Sequence, residues 1–274
     1  MIKHLYLFSA IVLLVSMHNV LPACLQIKPS LCSEEAKKIG MLIWMNETSQ
    51  NREQLVLWNE NEAFPSLGIG HQIWFPQGSD FPFTEGFPLL CDYLQKHGVA
   101  LPEWLDKAKH TGAPWKTRAD FLQDTERVEE LRALFMSTVD IQTNFMIDRF
   151  KEQHQLIIES AELDEKKKME KHTELLRSSL LGTYALVDYI NFKGTGTNPR
   201  EVSKGKGWGL KQVLLDMPDD ITAANAPQAF TVSASTMLLM RIRNSAPEYS
   251  LIRYLHGWMK RLSTYSNPAI LDAK

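Results

Sequence analysis

Ser66-Leu67-Gly68-Ile69-Gly70-His71-Gln72-Ile73-Trp74-Phe75 is the stretch of sequence that decides the fold. Side chains of an extended strand point alternately to opposite sides. One side of this stretch carries Leu67, Ile69, His71, Ile73 and Phe75, and the other carries Ser66, Gly68, Gly70, Gln72 and Trp74. The alternation predicts a β-strand, and no other segment shows a convincing one. We therefore expect one small β-hairpin, with His71 on its apolar side as a buried, hydrogen-bonded structural residue.

The chain before this strand predicts an amphipathic helix. Ser33 suits the N-cap position, and two glutamates follow in the first turn, where negative charge is favoured. Ile39 and Ile43 continue an apolar stripe that predicts a helix to about Asn46. Glu47 follows Ile43 by four residues and therefore lies on the same apolar face. We expect the Glu47 carboxyl to point inward at the end of this helix.

Helical periodicity recurs over most of the remaining chain. The pattern is helical from about 120 to 161, and further helices are predicted at about 181–192, 207–217, 227–244 and 249–265. The expected fold class is mainly α, or α+β when its single hairpin is counted. No Pro-rich or Ser/Gly-rich linker divides the chain, so residues 24–274 are expected to form one domain.

The first 23 residues read as a secretory signal peptide. Residues 5–17 form an apolar run that is short for a membrane span of about 20 residues. The run ends in Leu21-Pro22-Ala23-Cys24, which resembles a bacterial lipoprotein cleavage site with Cys24 as the lipid-bearing residue. Ordinary cleavage after Ala23 and an uncleaved signal anchor are the alternatives. In each case we expect an exported protein, either periplasmic or a membrane-anchored lipoprotein.

The charge balance excludes one class of partner. Lys and Arg total 30 against 32 Asp and Glu among 274 residues, which gives a formal net charge of −2. This balance does not favour attraction to nucleic-acid phosphates, so no nucleic-acid partner is expected. Removing residues 1–23 takes away Lys3 and leaves 29 basic against 32 acidic residues, a charge of −3. Overall charge would therefore not draw the mature chain to an anionic polymer.

Several kinds of site are absent from the sequence. There is no phosphate-binding loop, no HExxH zinc motif and no GxSxG nucleophile motif, and the Gly-rich stretch 205–209 lacks dinucleotide-loop spacing. Eight histidines show no ligand spacing, so no metal and no cofactor is expected. Three cysteines are too few for a disulfide scaffold, although Cys32 and Cys91 could pair if Cys24 is lipidated.

Acidic residues near the Gly-rich strand point to glycoside hydrolysis. That reaction needs a carboxylic acid that donates a proton to the leaving oxygen and commonly a second, ionised carboxylate. Burial raises a carboxyl pKa, so the inward-pointing Glu47 suits the acid. Glu60, between two asparagines, suits the ionised partner. The alternative is that Glu47 caps a turn and Glu60 is only solvated.

The polar side of the predicted strand suits a sugar chain. Gly68 and Gly70 carry no side-chain bulk, so a flat glycan could lie close to the backbone there. Ser66, Gln72 and Trp74 would flank it. Gly68, Gly70, Gln72 and Trp74 are therefore the candidate substrate-binding residues.

The residues from Glu47 to His71 resemble the active-site region of phage-type lysozymes. In that family a helix-terminal Glu is the catalytic acid, an acidic residue lies eight positions before the first Gly of a GIGH strand, and a hydroxyl residue lies two positions before it. Glu60 and Ser66 occupy those two positions here. Leu181–Gly194 and Gly207–Met217 resemble two later helices of the same superfamily. The resemblance implies a lysozyme-like helical domain, an exported bacterial branch, and catalysis by Glu47, Glu60 and Ser66.

This resemblance implies an exported peptidoglycan hydrolase, muramidase-like, that cleaves β-1,4 glycosidic bonds. Departures from the family keep alternatives open, since the interval from Glu47 to Glu60 is longer and the region 76–178 is enlarged. Glu62 or Glu53 could replace Glu60 as the second carboxylate. A lytic transglycosylase with one working acid, and a non-catalytic envelope protein that binds glycan or protein, are the rival functions.

Later polar and aromatic residues are predicted to be structural. Asp188 and Asn191, three apart on an apolar helix, are expected to hydrogen-bond inside the core, with a substrate contact as the lesser alternative. Trp208 could stack on a sugar ring but is more typical of a core. Arg261 and Tyr265 are expected to close the fold near the C-terminus.

Overall fold

The structure is a computed structural model that describes residues 33–79, 81, 85–199, 201–245 and 250–272. The chain from Ser33 onward forms one compact unit. The predicted signal peptide, Cys24 and Cys32 lie outside the described residues. Cys91 is described and has a fully buried free thiol. None of the helices in the described ranges has both the length and the apolar character needed to cross a membrane.

The chain is mainly α-helical, as the sequence predicts. The described residues form eleven α-helices: α1 Ser33–Thr48, α2 Phe87–Lys96, α3 Glu103–Ala108, α4 Arg118–Gln123, α5 Thr125–Ser137, α6 Val139–Glu159, α7 Leu163–Arg177, α8 Leu180–Lys193, α9 Leu210–Asp216, α10 Ala226–Asn244 and α11 Leu255–Thr264. Short 3-10 helices cover Arg52–Leu55, Leu251–Tyr254 and Pro268–Leu271. The helical pattern predicted over about 120–161 is confirmed, and the region consists of three helices, α4, α5 and α6, which meet at Asp124 and Thr138.

The β structure is a small three-stranded antiparallel sheet rather than a single hairpin. Its strands are β1 Val56–Leu57, β2 Ser66–Leu67 and β3 Gln72–Ile73, in the order β1-β2-β3. The predicted continuous strand over 66–75 is therefore wrong. Gly68 and His71 both have positive φ angles, +77° and +46°, and turn the chain back on itself. The simple alternation of faces ends at this turn.

Helix α6 holds the turn between β2 and β3 in place. Gln142 is buried, and its Oε1 accepts a hydrogen bond from Ile69 N at 3.0 Å. Its Nε2 donates to Phe135 O at 2.8 Å and to Thr138 Oγ1 at 3.1 Å. A methyl group added at Gly68 would meet Gln142 Oε1 at 2.5 Å. The turn is thus fixed against the helical core and can position its side chains.

Two residues of the predicted sugar-binding face are buried instead. Trp74 is fully buried and packs against the rings of Phe87, Trp104 and Trp115, with ring centroids 4.8 to 6.4 Å away. Gly68 is covered by Gln142. The assignment of Trp74 and Gly68 to substrate binding is therefore corrected: both belong to the packing that supports the sheet.

Helix α1 carries Glu47 and packs closely against α6. Ile39 and Ile43 are fully buried, as their spacing predicts. At Gly40, an added methyl group would meet Thr143 Oγ1 of α6 at 1.8 Å, so only glycine allows this approach of the two helices. Helix α1 also packs against α8, which is buried along most of its length. This packing places the last turn of α1 beside the last turns of α8.

Candidate active site

Glu47 lies in the last turn of α1 with its side chain only 15% exposed. Its Oε1 accepts a hydrogen bond from Arg261 Nη2 of α11 at 2.7 Å. The inward orientation predicted from the helical spacing is observed. The ion pair between Glu47 and Arg261 was not predicted, because the sequence analysis expected Arg261 only to close the fold.

Arg261 binds a second carboxylate at the same time. Its Nη2 and Nε donate to Asp188 Oδ1 and Oδ2 at 2.7 and 2.8 Å, in a bidentate pair. Asp188 is fully buried and also accepts from Tyr265 OH at 2.6 Å. Asn46 Nδ2 donates to Asp188 Oδ2 at 3.1 Å. One guanidinium therefore links the ends of α1, α8 and α11, and Asp188 serves structure, as predicted.

This network keeps the Glu47 carboxyl ionised in the free protein. Burial acts to raise the pKa of Glu47, but the charges of Arg261 and His71 and the hydrogen bond from Arg261 outweigh it, so the pKa lies below its ordinary value. The expectation that burial would raise this pKa is therefore wrong. To act as a general acid, Glu47 must first take up a proton.

His71 is the second polar neighbour of Glu47. Its Nδ1 lies 3.7 Å from Glu47 Oε2, and its Nε2 lies 2.9 Å from Gln54 O. Because a carbonyl oxygen only accepts, Nε2 must carry a proton in this arrangement. Nδ1 then carries a proton only when the ring is charged, and that proton faces Glu47. The interpretation of His71 as a buried structural residue is corrected, since it borders an open cleft.

Asn191 joins Glu47 to the turn of the sheet. Its Nδ2 donates to Glu47 Oε1 at 3.4 Å and to Gly70 O at 3.1 Å. Its Oδ1 accepts from Gln72 Nε2 at 3.1 Å. Asn191 thus lies at the candidate site. The preferred sequence interpretation, a hydrogen bond inside the core, is corrected for this residue.

A cleft of about 340 Å³ opens beside this group. Glycine at 194, with φ of +74°, ends α8 directly after Lys193 and turns the chain along the cleft wall. Polar, charged and aromatic residues dominate the lining, among them His71, Gln72, Arg149, Asn191, Phe192, Lys193, Glu201, Trp208 and Arg241, and Gly70 also lines it. Glu47 does not itself belong to the lining, but His71 and Asn191 do and both contact it.

The predicted second carboxylates do not reach this cleft. Glu60 has an 81% exposed side chain and lies 3.9 Å from Arg118. Glu62 is exposed and accepts from Asn59, whereas Glu53 is 62% exposed beside two arginines. None of the three lines the cleft. The pairing of Glu60 with Glu47 in one cleft is therefore corrected. The cleft carboxylate among the described residues is Glu201.

The remaining predicted site residues divide between the cleft and the interior. Gly70 and Gln72 line the cleft, and their role in substrate binding stays a prediction. Ser66 is 7% exposed in β2 and does not line it, so its place in the predicted catalytic set has no geometric support. In the described ranges, no group of three or more His, Cys, Asp or Glu side chains is arranged to hold a metal ion.

Sequence reasoning missed three residues that shape the cleft. Arg261 holds Glu47, and Lys193 and Arg241 line the cleft wall. Trp208 also lines it, although a core position was the preferred interpretation. Tyr189 OH donates to Trp208 O at 2.7 Å and anchors this part of the wall. The one available signal was Lys193, the only basic residue of the mostly apolar helix α8.

No protein-family model, curated protein or solved structure matches the chain.

Proposed function

We propose that the protein is an exported, lysozyme-type glycoside hydrolase that cleaves β-1,4 bonds of peptidoglycan, with Glu47 as its general acid. One observation carries this proposal: a carboxyl at a helix end, held by Arg261 and Asn191, adjoins a polar cleft that also contains an aromatic ring, Trp208. Sugar-binding clefts combine polar groups with aromatic faces in this way. The protein would act in the periplasm or as a lipoprotein anchored through Cys24.

The proposed acid step needs a proton on Glu47. Because Arg261 and the charge of His71 favour the ionised carboxyl in the free protein, Glu47 would take this proton from solvent before the substrate covers it. A sugar that covers the site would displace water and strengthen the effect of burial, which favours the protonated carboxyl. Glu47 would then donate its proton to the glycosidic oxygen as the bond between that oxygen and the sugar carbon breaks. Water would add to the sugar carbon, and the proton it loses would pass to the Glu47 carboxylate.

The second carboxylate is left out of this proposal. Glu60 is exposed beside Arg118, and Glu62 and Glu53 also lie outside the cleft. A mechanism with one acid is shared by lytic transglycosylases, which form an anhydro-sugar in place of adding water. The nature of the product therefore separates the two reactions.

A non-catalytic glycan-binding protein is the second candidate function. The observation that favours it is the ion pair between Glu47 and Arg261, which holds the carboxyl ionised and outside the cleft lining. Such a protein would bind peptidoglycan and leave it intact.

Mass analysis of soluble fragments tests these functions. Purified peptidoglycan is incubated with the protein, and released fragments are compared before and after borohydride reduction. Fragments with reducible sugar ends that contain one added water support the hydrolase. Anhydro ends would indicate a transglycosylase. Sedimentation of the protein with intact peptidoglycan, without any released fragment, would contradict both enzymes and support the binding protein.

A further inference from the structure

Lys193 presents a cation to the cleft without an anionic partner. Its Nζ lies 3.7 Å from the ring centroid of Phe192 and 3.9 Å from that of Trp258. Among the described residues, no carboxylate lies within 4.0 Å of this nitrogen and none of them hydrogen-bonds to it. Aromatic faces attract the ammonium group, but they do not neutralise it. Of the carboxylates that the structure describes, only that of Glu47, which lies more than 4.0 Å away, compensates part of this charge.

Arg241 also lines the cleft and stacks on aromatic rings without forming an ion pair to a described residue. Its guanidinium carbon lies 3.9 Å from the ring centroid of Trp208 and 5.5 Å from that of Trp258. Arg149 also lines the cleft, where its Nη1 donates to the neutral Gln72 Oε1 at 3.2 Å. Neither arginine forms an ion pair with a described carboxylate. Three cationic side chains thus line the cleft.

The acidic residues nearby do not balance these cations. Glu201 lines the cleft but makes no ion pair within 4.0 Å with Arg241 among the described side chains. Glu47 is bound by Arg261, which it shares with Asp188. Partly buried cations that lack a counter-ion are costly, and a bound anion would remove that cost.

The charges also act on one another. Burial and the positive charges of Arg241 and Arg261 hold the pKa of Lys193 well below its ordinary value, while Glu47 opposes this shift. Burial likewise lowers the pKa of Arg241, with Tyr189 and Glu201 in opposition. An anion placed among these cations would stabilise the charged form of each.

We propose that the cleft is an anion-binding subsite in which Lys193 and Arg241 bind a carboxylate or phosphate group carried by a sugar. Trp208 would face the apolar side of that sugar, and Arg149 would extend the positive wall. That the ligand is a glycan rests on the proposed function, and the subsite adds that this glycan carries an acidic group. The anion binding itself requires no bond cleavage and can be measured without it.

Calorimetric titration of the full chain near neutral pH tests this subsite. The probes are the disaccharide of N-acetylglucosamine and N-acetylmuramic acid with a free carboxylate, neutral chitobiose, and inorganic phosphate. We expect the acidic disaccharide to bind at least about tenfold more tightly than chitobiose and to weaken as salt is added. Competition by phosphate would indicate that phosphate-bearing wall polymers share the site, and its failure to compete would restrict the subsite to carboxylates.

Three variants make the test specific. Lys193→Met and Arg241→Met should each weaken binding of the acidic disaccharide by about tenfold or more, because each removes a charged contact. Lys260→Met removes an exposed cation outside the cleft and should leave binding unchanged. Lys193→Met relieves repulsion, so its melting temperature should not fall. Equal binding of acidic and neutral disaccharides, or unchanged binding in both cleft variants, would overturn the proposal.

A failure of the proposed function would give a different result. If wild type binds the acidic sugar but never releases peptidoglycan fragments, the subsite stands and the hydrolase proposal fails. If fragments are released but the acidic sugar has no advantage, the subsite fails alone.

Discussion

Arg261 Nη2 donates a hydrogen bond to Glu47 Oε1 at 2.7 Å, although 214 residues separate the two in sequence. The same nitrogen donates to Asp188 Oδ1 at 2.7 Å. Since all three groups are largely buried, their charges interact strongly and are little screened by salt. This contact both closes the fold around α11 and sets the protonation state of the candidate acid.

Replacing Arg261 should destabilise the protein strongly. Arg261→Met leaves the fully buried Asp188 and the nearly buried Glu47 without their cation, and we expect a loss of about 3–5 kcal/mol in the free energy of unfolding. Denaturant unfolding measures this loss. Lys260→Met, at an exposed position on the same helix, should change stability by less than about 0.5 kcal/mol. Equal stability of the two variants would show that the Arg261 network contributes nothing to folding.

The lowered pKa of Glu47 predicts a pH-dependent contribution to stability. The ordinary pKa of a Glu carboxyl, 4.5, stands for Glu47 in the unfolded chain, and its pKa in the folded protein is lower. Ionised Glu47 therefore stabilises the fold at pH values above 4.5. This contribution disappears as the pH falls through the folded pKa. Wild type should therefore exceed Glu47→Gln in unfolding free energy at neutral pH, and the difference should shrink in acid. Urea unfolding of both proteins across this range measures it, and a difference that grows on acidification would contradict the assigned direction.

Replacing a helical glycine by alanine should have opposite effects on stability at two positions. Gly40→Ala drives a methyl group into Thr143 of α6, and overpacking of this kind costs about 1–3 kcal/mol. Gly257→Ala in α11 meets nothing within 4 Å and should stabilise by up to about 1 kcal/mol through helix propensity. Thermal unfolding compares them directly. Similar melting temperatures for both variants would refute the close contact between α1 and α6.

Local patterns in the sequence predict the helices better than the sheet. The bounds of α8 and α10 and the inward orientation of Glu47 follow from spacing at three and four residues, which helix geometry imposes on every turn. The alternation over 66–75 fails because Gly68 and His71 adopt positive φ angles and form a turn. Alternation alone cannot distinguish one long strand from two short strands joined by such a turn.

The cleft depends on contacts that no local pattern contains. Lys193 ends one helix, Arg241 lies in another, and Trp208 lies in the segment between α8 and α9, so their proximity arises only on packing. The near-neutral charge of the whole chain also conceals the cationic cleft. Net charge averages over the entire surface, whereas binding responds to the charges that line one cavity.

Release of reducing ends from purified peptidoglycan tests the central claim, that Glu47 is the acid and Glu60 is not its partner. Wild type, Glu47→Gln and Glu60→Gln are compared in one assay, after unfolding measurements show that each is folded. We predict that Glu47→Gln slows release by about 100-fold or more, the usual effect of losing an acid catalyst, and that Glu60→Gln keeps the wild-type rate. Undiminished release by folded Glu47→Gln, or loss of release in Glu60→Gln, would contradict the account.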